Sequence, residues 1–176
     1  HSQRARYAGG LTLEKLKKQW EEVDQLNEEM EGFHIFKGIE SDILPDGSLD
    51  YEESVLKKFD FVIASVHSHF NMPLEEMTQR IMKAIRNPYT TILGHPTGRL
   101  LLAREPYQVD MIRLIGEASK TGVAIELNSH PFRLDIDWRL CKYAKERGVK
   151  IAINPDAHEE KGLRDTRFGV GIARKG

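Results

Sequence analysis

Five short apolar runs, each ending on a polar residue, constrain this chain more than any other feature. They read Lys37-Gly38-Ile39-Glu40, Val62-Ile63-Ala64-Ser65-Val66-His67, Thr91-Ile92-Leu93-Gly94-His95, Val123-Ala124-Ile125-Glu126-Leu127-Asn128 and Ile151-Ala152-Ile153-Asn154-Pro155-Asp156-Ala157-His158. A β-branched run that stops abruptly is how a buried strand hands polar chemistry to a loop. The ends Glu40, His67, His95, Asn128 and Asp156 are 27, 28, 33 and 28 residues apart, about the length of one βα unit. Strands alternating with helices imply a parallel α/β sheet whose carboxyl ends share one side. The five polar groups are therefore expected to converge on one face, which in an α/β barrel is the face that carries the active site. A doubly wound open sheet is the rival, but it gathers chemistry at one crevice instead of at every strand end.

The intervening stretches read as helices. After the glycine-rich Tyr7-Ala8-Gly9-Gly10, Thr12 can cap the strongest helical pattern of the chain, with Leu13, Leu16, Trp20, Val23, Leu26 and Met30 at three- and four-residue steps. A first strand is expected from about Phe33 to Ile39, then a Pro45-Asp46-Gly47 turn and a short helix over Tyr51 to Lys58. Strand two, Phe61 to Val66, leads to a helix opened by Pro73, carrying Met77, Ile81 and Ile85 and stopping at Asn87-Pro88. Strand three covers Thr90 to Leu93, and Gly94-His95-Pro96-Thr97-Gly98-Arg99 reads as a loop. Helices over Val109 to Ser119 and Asp137 to Arg147 precede strands four and five. Both junctions follow Gly-Val-x-Ile-x-x-Asn, from Gly122 and from Gly148, with glycine closing each helix.

With 176 residues, 40% of them hydrophobic and 30% charged, the chain is read as one domain, residues 1–176, with enough apolar material for a core. No apolar stretch reaches a membrane span and no signal pattern opens the sequence, so a cytoplasmic location is expected. A net charge of -1 argues against a wholly basic nucleic-acid surface. The basic residues Lys161, Arg164, Arg167, Arg174 and Lys175 fit a solvated terminal stretch as well as a phosphate-binding face. The single cysteine, Cys141, reads as a packed thiol.

Three histidines and two carboxylates at one end of a parallel sheet suit a divalent transition metal such as zinc, manganese or iron. Glu40 can bridge two ions with its two oxygens, and Asp156 with His158, two apart, point to the same side of an extended stretch. A lone strand-end histidine is more often hydrogen-bonded packing than a ligand, and Glu40 alone would suit a lysine; their common placement is what favours a metal. His69 stands where it would touch substrate, His34 and His130 read as structural or loop residues, and His1 is open between a ligand and a trace of an added tag. Arg99, Arg133 and Arg164 are candidate phosphate contacts.

Together, Gly38-Ile39-Glu40, Ser65-Val66-His67-Ser68-His69, Gly94-His95-Pro96 and Asn154-Pro155-Asp156-Ala157-His158 resemble the successive motifs of the polymerase-and-histidinol-phosphatase (PHP) domain. The likeness is greatest to the PHP domain of bacterial family X DNA polymerases, and extends from His1-Ser2-Gln3-Arg4 to Phe168-Gly169-Val170-Gly171 and Ala173-Arg174-Lys175-Gly176. The resemblance implies a distorted seven-stranded (β/α) barrel with up to three divalent ions, hydrolysing phosphoesters by a metal-activated hydroxide. It places Glu40 between two ions, His67 and His95 on one of them, Asp156 on the other, and His1 with His158 on a third. Glu40, His67 and Asp156 would then be the catalytic set. It also implies manganese-dependent 3′-5′ exonuclease and 3′-end processing activity on DNA, next to a polymerase core.

The family's opening His-x-His strand has no counterpart here, so the barrel is expected to be incomplete at its N-terminus. That leaves the chain either inactive or dependent on contacts from another chain, with its exposed edge a place for oligomerisation. Two alternatives stand beside the exonuclease reading: a small-molecule phosphatase of the histidinol-phosphate kind, and a non-catalytic PHP module that braces a polymerase.

Overall fold

The computed structural model describes residues 1–4 and 9–176, so Tyr7 and Ala8 of the glycine-rich stretch lie outside the described residues. The apolar runs form five strands, β1 (Gly38–Asp42), β2 (Phe61–Ser65), β3 (Ile92–Leu93), β4 (Ala124–Asn128) and β5 (Ile151–Asn154). They make one parallel sheet in the order β1-β2-β3-β4-β5. Sequential order without a reversal leaves no switch point of the doubly wound kind, and all five carboxyl ends do face one side. Among the described residues β1 and β5 are not paired with each other. The two Gly-Val-x-Ile-x-x-Asn repeats lie side by side in register, Ile125 opposite Ile151 and Asn128 opposite Asn154.

Helices α1 (Leu13–Glu29), α2 (Glu53–Leu56), α3 (Leu74–Ile85), α4 (Met111–Thr121), α5 (Trp138–Glu146) and α6 (Thr166–Lys175) fill the connections, with a 3₁₀ turn over Glu160–Asp165. Thr12, Asp110 and Asp137 each cap a helix by accepting a backbone N–H, from Lys15, Arg113 and Arg139. Gly122 ends α4 at φ +80°, a conformation a side chain would resist. Met77, Ile81 and Ile85 of α3 and Leu114, Ile115 and Ala118 of α4 are buried in one core cluster with residues of the strands. The two helices are stitched by Thr78, whose hydroxyl donates to Leu74 O at 2.6 Å and accepts from the Asp110 amide at 3.0 Å.

Two sequence expectations are corrected. The first strand begins at Gly38, not Phe33, and runs through Glu40 to Asp42; Phe33 and Phe36 are solvent-exposed, so nothing there holds a sheet edge. Consequently His34 does not begin a strand; it is exposed and meets the Phe36 ring edge-on. The longest helix, α1, is a poor core element: only Leu16 is fully buried, while Leu13 and Leu26 are exposed and Trp20 packs on Phe59.

The basic residues Lys161, Arg164, Arg167, Arg174 and Lys175 are all exposed, in keeping with a solvated stretch, while the apolar side of that stretch is α6, packed across β4 and β5. Gly169 permits that approach, since a Cβ there would lie 2.5 Å from both Ile153 Cγ2 and Ser129 Cβ. Gly171, on the same helix, has nothing within 4 Å. Gly169→Ala is therefore expected to destabilise by about 1–3 kcal/mol through overpacking. Gly171→Ala should stabilise by up to about 1 kcal/mol through helix propensity. Urea midpoints of the two variants test this pair of opposite signs.

Candidate metal centre

β1 alternates its side chains, so Glu40 and Asp42 leave the same side of the strand. Ser2, fully buried, is hydrogen-bonded beside them: its amide donates to Glu40 O at 2.9 Å and its hydroxyl accepts from the Asp42 amide at 2.9 Å. That double contact brings His1 to the centre. Its Nδ1 stands 2.9 Å from Glu40 Oε2, while His67 Nε2 and His95 Nε2 stand 3.2 Å and 3.0 Å from Glu40 Oε1. Three imidazoles, delivered by the N-terminal segment and by the ends of β2 and β3, thus surround one carboxylate. The His1 and His95 rings stand steeply across that of His67, with centroids 5.1 and 5.0 Å away.

Electrostatics follow from this crowding. Burial alone would raise the Glu40 carboxyl, but hydrogen bonds from His1, His67 and His95 hold it far below the usual carboxylate range. Burial opposes charge on His67 too, yet Asp42 and Glu40 together push it up to about 9. His1 is raised chiefly by its Glu40 contact.

A donor set of imidazole nitrogens and a carboxylate oxygen fits a borderline divalent cation. The ligand atoms of His1, Glu40 and His67 lie within 4.8 Å of one another. His67 Nδ1 is in short contact with Asp42 Oδ1, the carboxylate–histidine arrangement that orients a metal ligand and leaves its other nitrogen for the ion. His95 Nδ1 is buried with no hydrogen-bond partner among the described residues.

Asp156 stands at the end of β5, where Oδ2 accepts from Asn128 Nδ2 at 3.2 Å and lies 3.3 Å from Arg133 Nε. His158 is mostly exposed; its Nδ1 is 2.8 Å from Asp156 O and its ring stacks on His1 at 5.8 Å. His69 is exposed, with Nδ1 3.1 Å from Ser68 Oγ. Arg99 is turned on backbone, bonding the carbonyls of Arg133 and Leu134, and Arg164 is exposed in the 3₁₀ turn away from the imidazole cluster's contacts. The structure therefore draws His1, Glu40, His67 and His95 together, sets Asp156 with Arg133 alongside, and leaves His69, Arg99 and Arg164 without a contact to Glu40.

Two residues of this network were not singled out from the sequence. Asp42 is one. The other is Glu126, buried in β4, which accepts from the His95 amide at 2.6 Å, from Asn154 Nδ2 at 2.9 Å and from Asn128 Nδ2 at 3.4 Å. Burial pushes its carboxyl up. Through Asn128, which also reaches Asp156, one side chain ties the His95 loop to the Asp156 loop. The signal was present: Asp42 follows Glu40 by two and Glu126 precedes Asn128 by two, the same-face spacing of a strand.

No family model matches the chain. The chain is similar along its whole length to the DNA polymerase/3′-5′ exonuclease PolX of Bacillus subtilis, 49% identical over 176 residues and covering 31% of that protein. It is also similar to a probable phosphatase of Thermoanaerobacter sp., 38% identical over 143 residues, which are 76% of this chain and 56% of the relative. A probable phosphatase of Caldanaerobacter subterraneus is 36% identical over 141 residues, 74% of this chain and 53% of the relative. The chain thus spans about a third of the polymerase and about half of each phosphatase.

Removing the Glu126 carboxylate strands the His95 amide and two carboxamides. Glu126→Ala is expected to cost about 2–4 kcal/mol of unfolding free energy. Glu126→Gln should cost less, because the Asn154 carboxamide can turn over to offer its oxygen. Denaturant titration of both variants measures the difference.

Proposed function

We propose that residues 1–176 form one metal-dependent phosphoesterase domain of the PHP kind, acting on the 3′ ends of DNA within a protein that also carries a polymerase core. The observation that carries this reading is the Glu40 carboxylate ringed by nitrogens of His1, His67 and His95 at 2.9–3.2 Å. The likeness to a polymerase/3′-5′ exonuclease and to probable phosphatases supports a phosphoester as the bond broken. In this reading the five sequentially paired strands are an arc of the distorted seven-stranded barrel.

Glu40, His1, His67 and His95 would hold divalent cations, manganese or zinc with iron as a third choice, and Asp156 and His158 would extend the set. Bound there, such a cation supplies Lewis acidity that offsets phosphoryl charge and makes water acidic at neutral pH. The chain's own residues do the rest. Asp42 fixes the His67 ring, Glu126 holds the backbone of His95, and Arg133, beside Asp156, offers guanidinium donors to a phosphate. His69, Arg99 and Arg164 would contact the substrate further out.

A chelator is expected to abolish hydrolysis and added manganese to restore it. His95→Ala and Asp156→Ala should each lower the rate by on the order of 100-fold or more. A rate indifferent to all three treatments would leave the non-catalytic bracing role as the better reading.

The phosphatase names of several relatives favour one second reading, a small-molecule phosphatase. The two are separated by comparing turnover of a 3′-recessed oligonucleotide with that of a small phosphomonoester. The exonuclease reading expects the oligonucleotide to have the higher kcat/KM.

A further inference from the structure

The loops that leave β2 and β3 line an open cavity of about 890 Å3, within the size range of small-molecule sites. One wall is His69 to Pro73 and the other Arg104 to Tyr107. Both walls grow from site residues: His69 is two positions beyond His67, at most about 7 Å of chain, and Tyr107 is bound to the loop that follows His95.

These walls are fixed in place. Tyr107, buried, donates its hydroxyl to Pro96 O at 2.8 Å and its amide to Thr97 O at 3.0 Å. Arg104 donates to Gly98 O at 2.9 and 2.7 Å. On the other side the buried Arg80 donates to Ser68 O at 2.9 Å and reaches Met72 Sδ at 3.5 Å. The cavity is thus formed before any ligand arrives.

Its lining is a set of flat groups. The Phe70 and Tyr107 rings are nearly parallel, 13° apart with centroids at 6.1 Å, and the Arg104 guanidinium lies 4.3 Å from the Phe70 centroid. Aromatic rings and guanidinium planes are the surfaces on which unpaired bases stack. Arg104 is followed at once by Glu105, so the wall carries cancelling charges and suits a neutral ring better than an anion. His69, in the lining, stands at φ +57°.

We propose that this cavity is a nucleobase site, holding the heteroaromatic base of the nucleotide whose phosphoester lies at the Glu40 centre. The assignment rests on the phosphoesterase reading for which nucleotide is held, and on the cavity alone for the base itself.

The test begins without any variant, by mapping chemical-shift changes on the 176-residue chain titrated with adenosine and, separately, with imidazole. Adenosine is expected to move the Phe70 and Tyr107 ring signals more than imidazole does. With manganese present, an oligonucleotide ending in a normal 3′ nucleotide should show a KM about 10-fold lower than one ending in an abasic residue. Phe70→Leu should bring that ratio toward one. Unmoved ring signals, an equal response to imidazole, or a wild-type ratio of one would each overturn the base site. Ring signals that move with adenosine while neither oligonucleotide is hydrolysed would uphold the base site and defeat the phosphoesterase reading instead.

Discussion

Everything at the candidate metal centre depends on one largely sheltered anion, the Glu40 carboxylate. A charge taken out of water must be repaid by partners of excellent geometry or it gives up its ionisation. Here the repayment comes from imidazoles that no single element could supply. His1 is carried by the segment lying along β1, His67 by the end of β2 and His95 by the loop after β3. Only parallel strands in sequential order set these neighbours side by side with all their carboxyl ends on one face.

That same dependence explains which features could be read in advance. The spacing of apolar runs exposed the strands and their direction, and the shared Gly-Val-x-Ile-x-x-Asn repeat even anticipates the register of β4 on β5. Strand boundaries are less legible where tertiary partners, not propensity, decide: Phe33 to Lys37 has the composition of a strand, but Ile35 bonds the Asn27 side chain and Lys37 bonds Asp60. α6 is hard to see in sequence because its two glycines weaken the helical signal, whereas Gly169 is there to let the helix touch Ile153. Asp42 and Glu126 are not the last polar residues of the apolar runs, and only the pleat, which selects every second residue, puts them on the face of Glu40 and Asn128.

The second tier of buried polar groups has a common target, the loop from Gly94 to Arg99. Glu126 takes the His95 amide, Asp135 takes the Thr97 amide at 3.0 Å, Tyr107 and Arg104 take the carbonyls of Pro96 and Gly98. Arg99 spends its guanidinium on the carbonyls of Arg133 and Leu134. Asp135 and Glu126 are both raised by burial, so the protein tolerates unfavourable surroundings for two carboxyls to immobilise six residues. Loops without such anchors sample many conformations, and an imidazole on a mobile loop spends little time beside its carboxylate.

The reason this loop needs so much support is visible in its backbone. His95 sits at φ +23° and Asp156 at φ +52°, where side chains are disfavoured and glycine is the usual occupant. At many other positive-φ positions the chain uses glycine, as at Gly47, Gly98, Gly122 and Gly148. At positions 95 and 156 a glycine would relieve the backbone but delete the imidazole facing Glu40 or the carboxylate facing Arg133. The side chain has therefore been kept at the expense of local strain, on the order of 1–3 kcal/mol for each such residue. Leu102 and Leu134 share the conformation without reaching Glu40, so strain by itself does not mark the site. Strain joined to a buried polar contact does, and within the strand-end set that combination falls on His95 and Asp156.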